Sequence, residues 1–346
     1  MTSPGENNPL VSIISVNYNG KKWLERFFAS IREQTIFDRI ELILVDNSST
    51  DGSAEICQKE LATWRNGTFL PTGGNFGFGG GNNRGAAVAR GKYFLFVNPD
   101  VWFEPNCLAE LFEGTEKAGT GLGCALVMDY DSNQVQGRGA LGFDVFGCMT
   151  SVGIDESVPQ PFAVATFFFV HRDVFQKVGG FDEEFFLYNE EMDLSWRAWI
   201  AGYGVTMIES ARIHHQGVSS GDRTIENRTN ESKRFYANRN QILTLLKNSH
   251  GPLLVLVLNQ TALITVEAFV GALLARQLSF VRWSLLKPLA DCWRLRKYVL
   301  AERRRIAGFR KHGDLWMIRH FFSFRFGRWM DVKRLFSRGV KIDKAR

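Results

Sequence analysis

The stretch VSIISVNYN, Val11–Asn19, decides the fold. It is apolar, largely β-branched and free of charge, which suits a strand buried on both faces inside a parallel sheet. The segment that follows, KKWLERFFASIREQ, places Trp23, Leu24, Phe27, Phe28 and Ile31 on one helical face. ELILVDNSSTDGS, Glu41–Ser53, then reads as a second strand ending in a polar turn, and SAEICQKELATW as a second helix. After a helical GAAVAR segment, GKYFLFVNPD, Gly91–Asp100, is a third buried strand. Strand and helix in alternation predict an α/β fold, with a mostly parallel, Rossmann-like sheet flanked by helices. Beyond residue 105 the pattern loosens. FAVATFFFVHRDVFQKVGG reads as a strand and a short helix, EEMDLSWRAWIAG as a helix, and VTMIESARIHHQG as a strand running into a loop. From about residue 230 the chain reads as mostly helical.

In open parallel sheets, ligands sit beyond the carboxyl ends of the strands. Three polar clusters fall there: Asn17–Tyr18–Asn19, Asp46–Asn47–Ser48 and Asn98–Pro99–Asp100. Just ahead of the third strand comes GNFGFGGGNNRG, Gly74–Gly85, with six glycines in twelve residues. It matches neither a G-x-G-x-x-G dinucleotide fingerprint nor a Walker loop. Phe, Asn and Arg side chains set among the glycines predict a shaped backbone that lets something bulky approach closely, with Arg84 near an anion. A plain surface loop is the alternative.

Charge divides the chain. Residues 1–230 carry 18 Lys and Arg against 29 Asp and Glu, and residues 231–346 carry 24 against 7. An acidic catalytic domain over 1–230 and a basic helical region over 231–346 is the expected organisation, the second facing an anionic partner. Five scattered cysteines without a CxxC pair read as buried thiols in a reducing compartment. MTSPGENNPL lacks a basic-then-apolar signal pattern, so a cytoplasmic location is expected.

The ordered series SVNYNG, VDNSSTDGS, GNFGFGGGNNRGAAVARG, FVNPDV, GGFDEEFFLYNEEMDLSWRAWIAGY and ARIHHQG resembles the family 2 glycosyltransferases, and within them the rhamnosyltransferase-like branch. The likeness runs over roughly residues 10–248, including RFYANRNQILTLLKN. It implies the A-type glycosyltransferase fold, a nucleotide-diphosphate sugar donor (dTDP- or UDP-linked), a divalent Mg²⁺ or Mn²⁺, and inversion at the anomeric carbon. Carried over by position, the donor would meet Tyr18, Asn19, Asp46, Asn75, Gly77, Asn83, Arg84, Asn98 and Asp100, with the glycines making room beneath it. The family's acidic metal pair is here Asn98–Pro99–Asp100, so one carboxylate remains, and His215 stands where an imidazole ligand often joins it. The family base, in its E-D-x-D motif, falls at Glu191, one methylene longer than usual; Asp193 is the runner-up. Glu190 and Arg197 read equally well as a structural pair at the helix start.

Residues 252–275 are long and apolar enough for a membrane span, but Asn259, Gln260 and Glu267 interrupt them. Gln260 and Glu267, seven apart, share a helix face, which fits a helix lying at a membrane interface or packing on a partner. The Arg-, Lys- and aromatic-rich segment that follows suits an anionic membrane surface through residues 252–338; a homo-oligomer is the alternative, and no motif supports nucleic acid. Membrane attachment suits a lipid-linked or glycan acceptor in bacterial envelope synthesis, with rhamnose from dTDP-rhamnose as the leading donor sugar. The rival readings are a donor-binding scaffold that has lost catalysis, and a sugar nucleotidyltransferase, for which SVNYNGKKW is a poor match.

Overall fold

In the computed structural model, the structure describes residues 8–153, 155–164, 167–217 and 231–324. Their contacts divide them into two compact units interleaved in sequence. The first takes the described residues of Met1–Gly139, Val152–Phe186 and Tyr203–Gly217; the second takes those of Ala140–Ser151, Leu187–Gly202 and Val218–Arg346. By its packing, the acidic helix NEEMDLSWR belongs to the second unit, whereas the charge pattern had kept it with residues 1–230.

The first unit is built on one mixed sheet. Its strands are β1 (Val11–Asn17), β2 (Ile40–Asp46), β3 (Gly67–Pro71), β4 (Tyr93–Val97), β5 (Val101–Phe103), β6 (Gly121–Asp129) and β7 (Val135–Gly137). The second unit contributes a separate hairpin of β8 (Ala140–Phe143) and β9 (Met149–Ser151), after which β10 (Phe167–His171) and β11 (Gly204–His215) return to the main sheet. The order is β3-β2-β1-β4-β10-β6-β11-β5, with β7 beside β6. Strands β1 to β4 are parallel, β10 runs antiparallel to both its neighbours, and β11 is parallel to β6 but antiparallel to β5. β3 has no counterpart among the expected strands: its residues are half-buried or exposed at the sheet edge, so the apolar signal is weak.

Alternation across the sheet sends Ile13, Leu42 and Leu95 to a core shared with Phe27, Phe28 and Ile31 of α1 (Leu24–Arg32). α2 (Ser53–Leu61) contributes Cys57 and Leu61 to that core. The other side carries α3 (Gly77–Val88), so the shaped backbone expected of the glycines is a helix, and the plain-loop alternative fails. The glycines are not an irregular loop: the chain is helical from Gly77 onward. A Cβ on Gly85 would come within 2.4 Å of Ile14 Cγ2 and 3.0 Å of Val45 Cγ2, and one on Gly81 within 2.8 Å of Val16 Cγ2. Gly77, at φ +69°, sits against the Phe186 carbonyl, where a Cβ would lie 2.1 Å away. Side chains missing from α3 let its backbone lie directly on β1 and β2. What they would collide with is the sheet. Glycine costs about 1 kcal/mol per helical position relative to alanine, and close packing on the sheet offsets it.

α4 (Cys107–Ala118) completes the β1–β2 side with Leu108 and Leu111, while α5 (Arg172–Val178) joins Phe94, Phe96 and Phe181 in an aromatic cluster through Phe175. The second unit is helical: α6 (Glu190–Ile200), α7 (Glu231–Asn248), α8 (Val255–Ala275), α9 (Lys287–Arg294), α10 (Arg296–Ala307) and α11 (Asp314–Phe321). A short turn Ser279–Val281 and a π-helical turn Arg282–Leu286 link α8 to α9. Asp314 ties the α7–α8 connection by accepting from the backbone N–H groups of His250, Gly251 and Leu253. All five cysteines are buried. Residues 325–338 of the expected membrane-facing segment lie outside the described residues.

Candidate active site

The parallel register puts Asn17, Asp46 and Val97 at the carboxyl ends of three adjacent strands, β2-β1-β4. Asn17, wholly buried, is the hub. Its amide donates to Asp46 Oδ1 at 2.8 Å and Ser53 Oγ at 2.8 Å, while its carbonyl accepts from the Gly20 N–H. Asp46, 4% exposed, also accepts from the Ser49 hydroxyl at 2.6 Å and the Ser49 N–H at 3.0 Å. Its carboxylate is therefore occupied in closing the DNSS turn. Asn19, at φ +56°, latches the first tip to the second by accepting from the Thr50 N–H at 2.8 Å. Tyr18, between them, stands 55% exposed. Asn17 and Ser49 build this platform, and the local sequence marks them only as turn formers.

Around the glycine helix, Asn75, Asn83 and Arg84 each have partners within the first unit. Asn75 accepts from the Gly77 N–H at 2.9 Å, starting α3. Asn83 donates to the Phe181 carbonyl and accepts from the Phe181 N–H, stitching α3 to the chain that follows α5. Arg84 lies over the Phe76 ring, donates to the Gly80 carbonyl at 2.7 Å and sits 3.6 Å from Glu183. The anion beside Arg84 is a side chain of its own unit.

Two expected metal ligands, 115 positions apart, converge. β11 ends at His215 opposite Val101 of β5, so His215 Nε2 lies 3.6 Å from Asp100 Oδ2. Asp100 Oδ1 is buried and has no hydrogen-bond partner. Burial holds the His215 imidazole below its ordinary range against the opposing pull of Asp100, so at neutral pH the ring offers a lone pair. Gln136 steadies the corner, donating to the His215 carbonyl and to Asp129. A carboxylate with one oxygen near a neutral imidazole and the other buried without a partner fits a divalent cation, which would take its remaining ligands from diphosphate oxygens and water. Among the described residues no group of three or more potential side-chain ligands gathers. Asn98 is exposed and Pro99 buried. His214 turns the other way, stacked on Trp102 and bonded to the Asp129 carbonyl.

In the second unit, α6 begins after two left-handed residues, Tyr188 and Asn189. Side chains of α7 hold that turn. Asn240 donates to the carbonyls of Leu187 and Tyr188, and Gln241 accepts from Asn189. Glu190 is 3% exposed with a buried, unpartnered Oε1; burial, then the Glu191 charge, pushes its carboxyl up to about 8. Glu191 is half-buried, and desolvation raises it too. Asp193 differs. Burial alone would raise it, but Arg197 and Lys247, with the Asn248 amide, hold it at about 2. Arg197 Nη2 lies at 2.7 Å, Lys247 Nζ at 3.1 Å and Asn248 Nδ2 at 2.8 Å from its oxygens. Arg197 thus pairs with Asp193, four residues earlier, and not with Glu190. A carboxylate so caged holds no proton at neutral pH and has no exposed oxygen with which to take one. Asp193, the runner-up for the base, is a structural anion here.

Comparison with known proteins agrees with this architecture. Residues 12–179 match the family profile described as glycosyl transferase family 2. The chain is 28% identical over 61% of its length to an N-acetylglucosaminyl-diphospho-decaprenol L-rhamnosyltransferase of Mycobacterium tuberculosis, covering 78% of that protein. Among solved structures it resembles a mannosyltransferase of Pyrobaculum calidifontis in complex with GDP-Man and Mn²⁺, with a TM-score of 0.52, 14% identity and 87% of each chain covered. It also resembles GalNAc-T7 with UDP, GalNAc and Mn²⁺, with a TM-score of 0.57 and 17% identity, covering 72% of this chain but 49% of that one. With the strand tips, the Asp100–His215 corner and the acidic helix already in view, residues 12–179 form a family 2 glycosyltransferase domain of A-type fold, in a chain similar to rhamnosyltransferases.

Proposed function

We propose that the protein moves a sugar, rhamnose first among candidates, from a dTDP- or UDP-sugar to a lipid-linked saccharide with inversion at the anomeric carbon. The mycobacterial relative, which is named for rhamnosyl transfer to a decaprenol-linked acceptor, supports the sugar and the acceptor class. The observation that carries the donor half is the Asp100–His215 corner, where one Asp100 oxygen lies near a neutral imidazole and the other is buried without a hydrogen-bond partner. Asp100 and His215 are the residues that would hold Mg²⁺ or Mn²⁺. Bound there, the ion would neutralise charge on the departing diphosphate. Tyr18, the exposed side chain of the strand-tip platform, would meet the nucleotide base, and Asp46 would act through the turn it closes.

Glu191 takes the proton from the acceptor hydroxyl. That oxygen then bonds to the anomeric carbon as the carbon–diphosphate bond breaks on the opposite face. Its raised carboxyl brings the base closer to neutral pH, where proton transfer is most effective. Glu190, buried beside it and largely protonated at neutral pH, spares Glu191 a second full charge next door. Because the chain is basic toward its C-terminus, the second unit would bring this chemistry to a membrane surface.

The test is a thermal-shift screen of dTDP, UDP, GDP and their sugars with and without Mn²⁺. A ligand bound only by the native state raises its melting temperature. dTDP-rhamnose with Mn²⁺ should give the largest shift, and His215→Ala should remove the Mn²⁺-dependent part. Glu191→Gln should keep the shift and lose roughly 10²–10⁴ in kcat. A flat screen overturns the donor assignment, and an active Glu191→Gln overturns the base.

A further inference from the structure

α8 is built inside out. Among the described residues, Pro252–Leu274 is the one helix long and apolar enough to cross a membrane. Yet it does not turn its polar side chains to water. Leu256, Gln260, Ile264, Ala268 and Ala272, spaced by four, are buried at 0–9% exposure. Asn259, on the flank of that face, donates to the Val145 carbonyl at 2.8 Å. Gln260 lies against the Cys148 thiol, and Glu267 is half-buried. The opposite face is apolar and open. Val255 is 51% exposed, Leu258 70%, Val266 61%, Phe269 59% and Leu273 78%, at the three- and four-residue spacing of one helical stripe, with exposed Ala262 between. The polar pair Gln260 and Glu267 does share a face, as the sequence requires, but that face belongs to the protein interior.

A contiguous apolar stripe facing outward needs a non-aqueous partner. The residues around it say which. Leu278, Leu286 and Trp293 extend the exposed apolar surface beyond α8 at 86%, 57% and 70%. Residues 252–324 carry twelve Lys and Arg against four Asp and Glu. Arg276, Arg282, Arg294, Arg296 and Lys297 are exposed among these apolar side chains. A second copy of the same face would bring like charges together, whereas an anionic bilayer meets both the stripe and the charge.

We propose that the second unit docks on anionic membrane with the Val255–Leu258–Val266–Phe269–Leu273 stripe of α8 lying in the interface, its length of roughly 31 Å parallel to the surface. Its buried, hydrogen-bonded opposite face keeps the helix on the protein and prevents it from spanning. The proposal deepens the membrane part of the function proposed above and rests on it.

The full chain is mixed with vesicles of phosphatidylcholine alone and with roughly one-third phosphatidylglycerol, and bound protein is measured by flotation. Wild type should float with the anionic vesicles. Leu258→Glu with Phe269→Glu, both at exposed positions, should lower the partition coefficient about ten-fold or more, with melting temperature and helical circular dichroism unchanged. An environment-sensitive fluorophore on Leu273→Cys, the native thiols being buried, should shift to the blue on binding. Three results overturn the proposal: no flotation of wild type, undiminished flotation of the double variant, or a wild-type dimer that the double variant splits into monomers. The dTDP-rhamnose thermal shift is followed in the same samples. A normal shift with failed flotation sinks only the docking surface, and a lost shift in wild type sinks the donor reading instead.

Discussion

The first turn of α6 buries two carboxyl groups, those of Glu190 and Asp193, and the two fare in opposite ways. Glu190 is buried with one oxygen unpartnered, and burial, then the Glu191 charge, raises its carboxyl to about 8. Asp193, buried as completely, is met by two cations and an amide and falls to about 2. Burial penalises charge in both places; only compensation decides whether the charge survives. The same turn thus holds a fixed anion that anchors the helix to α7 and a Glu190 carboxyl that burial keeps largely protonated at neutral pH.

Removing the compensated charge should have the largest effect. Asp193→Asn leaves Arg197 and Lys247 buried without their counter-ion and should cost about 3–5 kcal/mol in urea unfolding. A cost below 1 kcal/mol would show that the cage is solvated and would erase the contrast with Glu190. The uncompensated charge should behave inversely. Folding favours the protonated form of Glu190, so its contribution to stability is fully present below its ordinary 4.5 and is lost as pH rises through about 8. Glu190→Gln escapes that loss. Its melting temperature should exceed that of wild type by a few degrees at about pH 9 and match it at about pH 5. A gain independent of pH would mean that the residue's packing, not its charge, carries the strain. The finest division is within the cage: Arg197→Lys keeps the charge but loses the planar fork, and should cost about 1 kcal/mol while Lys247 and Asn248 remain on Asp193. A larger loss would assign the cage to Arg197 alone.

Legibility in the sequence followed the range of the interactions. β1, β2 and β4 were readable because two-faced burial writes itself as an apolar run, and the edge strand β3, half exposed, was not. That the shaped glycine backbone is a helix was not legible because intrinsic propensity argues against it, and only the surface of β1 and β2 repays a helix without side chains. Asp100 and His215 were paired by resemblance; no local pattern in either segment specifies that β11 returns beside β5. Asn240, Gln241, Lys247 and Asn248 were passed over because their partners are carbonyls, a side-chain amide and a carboxylate roughly fifty residues away, which leave no periodic trace.

What the sequence alone determined is whatever depends on neighbours along the chain: the alternation of strands and helices, the polar strand ends, the shared helical face of Gln260 and Glu267, and the basic C-terminal third. Tertiary structure alone decided which face of α8 meets water, which carboxylate of α6 keeps its charge, and what the glycines of α3 lie against. Each of these depends on the free energy of a group in surroundings supplied by distant segments, and a linear pattern does not encode those surroundings.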